Sequence, residues 1–159
     1  MPKLYFTGYK GISLVSKLIK YWTRSEYSHV EQCLNIDTLK GYGAYEGHKV
    51  GYLYPSYHKK GTPYDIFELE CTDEQYEKFN YFKRTQEGKG YDYKGIMGFV
   101  TNKEKMNDIN KWYCSELELY ACNYADIRVL NWDVIKMNLV SPGMFLASPL
   151  LNKILSGKT

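Results

Sequence analysis

The chain lacks most of the features that would give its function away at once. None of its four cysteines (Cys33, Cys71, Cys114 and Cys122) is paired at CxxC spacing, which argues against a structural zinc site. No apolar run approaches the ~18–20 residues that span a bilayer, and the start, Met1-Pro2-Lys3-Leu4-Tyr5, has no apolar core of a secretory signal. A cytoplasmic location with free thiols is therefore expected. Charge of one sign is missing too: 21 Lys and Arg stand against 18 Asp and Glu, a net charge of +3. So small a balance argues against a dedicated nucleic-acid binder, which usually carries a strongly basic stripe. Histidine is scarce, with three, and so is phenylalanine, with six.

Tyrosine is abundant, with 17 in 159 residues. Much of the aromatic bulk thus carries a hydroxyl that needs water or a partner. Hydrophobic residues at 44% and charged residues at 25% describe an ordinary folded chain, and the length suits a single domain over residues 1–159.

Leu4-Tyr5-Phe6 is a short apolar run that suits a strand or the lead into a helix. From Gly11 to Arg24, Ile12, Val15, Leu18, Ile19 and Trp22 recur at helical spacing and predict an amphipathic helix with a buried stripe. Its other face carries Lys10, Lys17, Lys20 and Arg24. This basic face of residues 10–24 suits solvent, or peripheral contact with an anionic membrane.

Tyr27–Leu34 predicts a strand with His29, Glu31 and Cys33 on one face. Gly41-Tyr42-Gly43 predicts a bend, and Ala44–Gly47 a second strand pairing with the first as a hairpin. Val50–Tyr54 adds a third, Pro55–Pro63 is a loop, and Tyr64–Cys71 is a further strand. Thr72-Asp73-Glu74-Gln75 fits a capping box that opens a helix with Tyr76, Phe79 and Phe82 inward, ended at Gly88 and Gly90. Tyr91–Val100 predicts a short helix, residues 101–111 a polar loop, and Trp112 to about Tyr124 a helix. Ser141-Pro142-Gly143 starts a last helical piece over Met144–Leu155. Helices clustered around strands without βαβ alternation indicate an α+β domain.

Cys114 stands out chemically. At a helix start, the partial positive charge and unpaired N–H groups favour thiolate over thiol, and the thiolate is the nucleophile. Against this, a free cysteine commonly serves as a small buried hydrophobe. His29, held on a strand, is the natural base. A third group would orient its imidazole. Glu46, on the strand expected after His29, is the first choice; Glu31, two residues from His29 on the same face, is the rival, and His48 a weaker option. Tyr91 and Tyr93 are expected to line an aromatic cleft for substrate, with Glu31 beside it.

Tyr27-Ser28-His29-Val30, followed later by Trp112-Tyr113-Cys114-Ser115-Glu116-Leu117, resembles the circularly permuted NlpC/P60 proteins of the papain-like cysteine peptidase superfamily, in particular the YiiX-like members. Lecithin retinol acyltransferases are more distant permuted relatives. The likeness extends to Trp22-Thr23-Arg24, Tyr45-Glu46, Tyr91-Asp92-Tyr93-Lys94-Gly95 and Ser141-Pro142-Gly143.

The resemblance implies a small antiparallel sheet or partial barrel packed against helices, with the histidine strand ahead of the cysteine helix. It maps the nucleophile onto Cys114, the base onto His29 and the third polar residue onto Glu46. It implies a thiol peptidase or amidase that acts through a thioester and needs no metal or organic cofactor. The alternatives are a lipid acyltransferase or lipid hydrolase, and a catalytically silent binding module. The partner is then a small-molecule, peptide-like or lipid substrate, with no nucleic acid.

Overall fold

A computed structural model describes residues 1–94, 110–131 and 139–159. Its centre is a six-stranded antiparallel sheet of β1 (Lys3–Tyr9), β2 (His29–Asn35), β3 (Lys40–Gly43), β4 (Gly51–Leu53), β5 (Pro63–Glu70) and β8 (Asn152–Lys158), in the order β4-β3-β2-β1-β5-β8. The sheet is mixed with four helices among the described residues: α1 (Leu14–Thr23), α2 (Asp73–Thr85), α3 (Cys114–Tyr124) and α4 (Pro142–Leu146). It is open, with β4 and β8 at its edges, so of the expected antiparallel sheet or partial barrel it is the sheet that forms. A two-residue parallel ladder joins β6 (Gly90–Tyr91) to β7 (Lys111–Trp112) just ahead of α3.

The apolar run at the start of the chain is the sheet's inner strand. β1 pairs with β2 and β5 on its two sides, and Leu4, Phe6, Thr7, Gly8 and Tyr9 are all buried. Leu4 and Phe6 meet Val30, Phe67, Leu69, Phe79, Leu119 and Phe145 in the main core. A second cluster gathers Tyr42, Ala44, Val50, Tyr91, Tyr113, Cys114 and Leu117. α3 lies between α2 and strands β2 and β3.

α2 is built as its sequence indicates. The Thr72 hydroxyl accepts the Gln75 N–H, and the Gln75 side chain accepts the Thr72 N–H. Its buried face carries Phe79 and Lys83, with Tyr76 and Phe82 partly covered.

Three expectations fail. The first concerns α1. It begins after the Ser13 cap, whose side chain accepts the Ser16 N–H, and ends at left-handed Arg24. Ile19 is its one buried residue, while Leu14 (75% exposed), Val15, Leu18, Tyr21 and Trp22 face outward. The apolar stripe that periodicity assigns to the core is for the most part not in it.

The second is the bend at Gly41-Tyr42-Gly43, which is strand β3; the turn comes afterwards, at Glu46-Gly47. Gly41 serves a close approach rather than a turn. A Cβ there would stand 2.1 Å from Glu31 Oε1.

The third is the long last helix expected over Met144–Leu155, of which only Met144–Leu146 are helical, as the end of the five-residue α4. Pro149 cannot continue a helix, because its ring collides with the carbonyl four residues back. β8 then pairs with β5. Of the helix expected over Tyr91–Val100, Gly90–Tyr91 form strand β6, and residues 95–100 lie outside the described residues. Among the described residues no helix is long and apolar enough to cross a membrane.

Candidate functional site

His29 opens β2, opposite Tyr9 of β1, and Glu31 follows on the same face, opposite Thr7. Both side chains are buried. Strand periodicity alone puts them together: His29 Nε2 lies 2.8 Å from Glu31 Oε2. Burial pushes the imidazole down to about 3, helped by the positive charge of Lys83. Burial pushes the Glu31 carboxyl up to about 8, with Lys83 opposing. Charge is thus disfavoured on both, and the pair carries no net charge at neutral pH.

Aromatic rings wall in the imidazole. Tyr45 meets it edge-on at 4.9 Å between centroids. His58, half-buried just after the short 3₁₀ turn Pro55–Tyr57, stacks on Tyr9 at 3.6 Å and stands 5.5 Å from the His29 ring.

Cys114 is the first residue of α3 and is buried. The backbone N–H groups of Val30 and Ser115 favour its thiolate, as the helix start implies. Burial outweighs them and pushes the thiol up to about 12. The sulfur therefore rests as a thiol, contrary to the expectation from helix position alone, because a dry site penalises the anion more than two N–H groups stabilise it.

Glu46 is exposed, in the turn after β3, and makes no hydrogen bond to His29. The carboxyl that lies beside His29 is that of Glu31. The reason is that the predicted strand over Ala44–Gly47 is a turn, which carries Glu46 out of the sheet. His48 is also exposed and stacks on Tyr57 at 4.1 Å.

Tyr91 is buried, with its ring 6.0 Å from Tyr113 and 5.2 Å from Tyr93. Burial first, then the sulfur of Cys114, raises its hydroxyl well above the ordinary range. Tyr93 is half exposed, and its hydroxyl accepts the Gly47 N–H at 3.0 Å, tying the Glu46 turn to the segment after β6.

Three residues near His29 and Cys114 escaped the sequence reading. Lys83 of α2 forms a fully buried ion pair with Glu118 of α3 and donates to the Tyr42 carbonyl at 3.0 Å. The signal was a lysine four residues after Phe79, on the buried face of α2. Glu118 lies one turn after Cys114. His58 sits in a Lys-rich loop with no periodicity to mark it. With His29 and Glu31 it forms, among the described residues, a group whose ligand-type atoms all lie within 4.8 Å of one another.

No family model matches the chain, and no curated protein matches its sequence. A solved structure does. The metalloprotein YiiX from Escherichia coli O157:H7 superimposes with a TM-score of 0.70 at 20% identity, over 98% of this chain and 97% of YiiX. Over essentially its whole length, the chain has a YiiX-like fold.

Proposed function

We propose that the chain is a permuted NlpC/P60-type cysteine hydrolase that cleaves an amide bond, with Cys114 as nucleophile, His29 as base and Glu31 as the residue that orients His29. The observation that carries this reading is the 2.8 Å contact between His29 and Glu31 on β2. It sits beside Val30, whose N–H meets the sulfur of a cysteine at a helix start.

In this mechanism the form that acts is the one in which Glu31 has given up its proton: its carboxylate accepts from Nε2–H, which leaves Nδ1 to accept the Cys114 proton. Because the resting sulfur is a thiol, that transfer accompanies attack rather than preceding it. The sulfur bonds to the carbonyl carbon while the carbonyl π pair moves to oxygen. N–H groups at the start of α3 receive the oxyanion. His29 then returns its proton to the departing amine, leaving a thioester. A water molecule, deprotonated by His29, opens the thioester and restores the thiol. Glu31 balances the imidazolium throughout. Tyr91, within electrostatic reach of Cys114, walls the acyl position.

A chloroacetamide activity probe tests this on the full chain and on Cys114→Ala. Labelling that depends on Cys114 and collapses in His29→Asn is expected. Equal labelling of wild type and Cys114→Ala overturns the reading.

One observation favours a second reading, hydrolysis or transfer of a lipid acyl group. α1 presents Leu14, Leu18, Tyr21 and Trp22 to solvent alongside Lys17 and Arg24. That composition suits an anionic lipid interface. Co-sedimentation with phosphatidylglycerol vesicles at low salt is then expected, and its absence overturns this reading.

A further inference from the structure

We propose that His29, Glu31 and His58 form a binding site for a divalent transition-metal ion of the zinc type, and that the bound ion silences His29 as a base. The second half rests on the hydrolase reading above; the first does not.

The donor set is two imidazoles and one carboxylate. That combination suits zinc and leaves one of four tetrahedral positions open. The three ligand atoms lie within 4.8 Å of one another. Donors about 2.0–2.1 Å from a tetrahedral ion stand roughly 3.3 Å apart, so binding draws the His58 ring in by up to about 1.5 Å and slightly spreads the His29–Glu31 contact. Two of the ligands are fixed by β2, and the His58 ring is held by its stack on Tyr9. Glu31 has capacity to spare: Oε1 is buried without a hydrogen-bond partner, while Oε2 faces His29. His58 lines an open groove with Asp37, Pro55, Tyr64 and Lys158.

The effect on the base follows from proton accounting. Without metal, the His29–Glu31 pair holds two titratable protons, shared between the two ring nitrogens and the carboxyl. The ion takes one lone pair from His29 Nε2 and one from Glu31, and a single proton leaves for solvent. The remaining proton stays on Nδ1, and because the ion holds Nε2 that proton can no longer reside there and free Nδ1. Nδ1 then has no lone pair with which to take the Cys114 proton.

The test uses the full chain freed of metal by a chelator, titrated with Zn²⁺ and separately with Co²⁺. Zinc is expected to bind at one equivalent per chain in wild type and in Cys114→Ala. The cobalt form should show visible bands of nitrogen–oxygen coordination and no thiolate charge-transfer band. Loss of an outer partner of a metal ligand already costs about 10–100-fold in affinity, so His58→Asn should weaken binding at least tenfold. Unchanged affinity in His58→Asn, a thiolate band, or failure to reach one equivalent overturns the site; the cobalt spectrum of wild type decides even if the variant does not fold. Saturating Zn²⁺ should slow probe labelling of Cys114 at least tenfold, reversibly with chelator. Bound zinc with undiminished labelling overturns the silencing. Metal binding is read without substrate, so it fails or succeeds independently of the hydrolase reading.

Discussion

The carboxyl of Glu31 occupies the space that a side chain at residue 41 would need: a Cβ on Gly41 would lie 2.1 Å from Glu31 Oε1. Glu31 is thus held by its hydrogen bond to His29 on one side and by the neighbouring strand's backbone on the other.

Gly41→Ala should therefore displace Glu31 from His29. Overpacking of this kind costs about 1–3 kcal/mol, read as a lower urea midpoint. The matched change Gly51→Ala, where the nearest heavy atom would lie 3.9 Å away, should stay within about 0.5 kcal/mol of wild type.

The two candidate carboxylates separate in a single comparison. Glu31→Gln keeps the shape but cannot balance an imidazolium, and should lower the rate of Cys114 labelling by about tenfold or more. Glu46→Gln, in an exposed turn, should leave that rate within about twofold. The reverse order would restore Glu46 as the orienting residue.

Lys83 and Glu118 are both fully buried and paired with each other. Removing one partner strands the other, so Lys83→Met should cost about 3–5 kcal/mol, whereas Lys83→Met with Glu118→Leu should recover most of the loss. Chemical denaturation of the four proteins in the cycle measures this directly. A loss in the double variant equal to the sum of the two single losses would show that the pair is not coupled.

Acid stability should carry the mark of Asp65. Burial opposes its ionisation, yet hydrogen bonds from Ser156, Tyr27 and Lys10 win and hold its carboxyl down to about 2. Its folded value lies below its unfolded one. Its contribution, about 2 kcal/mol, is therefore fully present above about pH 4 and lost as the pH falls through about 2. Asp65→Asn should be less stable than wild type at pH 7, and the gap should narrow below pH 4. A gap that stays constant with pH would contradict this assignment.

Much of this architecture follows from local pattern. The capping box at Thr72 and Gln75 starts α2 by hydrogen bonds three residues apart, and no distant contact is needed to see it. Period-two alternation on β2 is enough to bring His29 and Glu31 to one face. The polar-then-apolar run at Cys114 marks a helix start. Each of these rests on neighbours within one turn or one pleat.

What the sequence could not decide depends on residues far apart in the chain. Periodicity says that α1 has an apolar side but not that the side faces solvent, since burial depends on what packs against it. Which of Glu31 and Glu46 lies beside His29 turned on where strand β3 ends, which its pairing with β2 and β4 sets. The resting state of Cys114 turned on burial, a property of the whole core, and burial reversed what the helix start favours. His58 reaches His29 across 29 residues of chain by stacking on Tyr9, a contact with no local signature. The sequence by itself determined which elements form and which chemical groups they carry. The tertiary structure decided which of those groups meet and in what dielectric, because both depend on long-range packing rather than on neighbours in the chain.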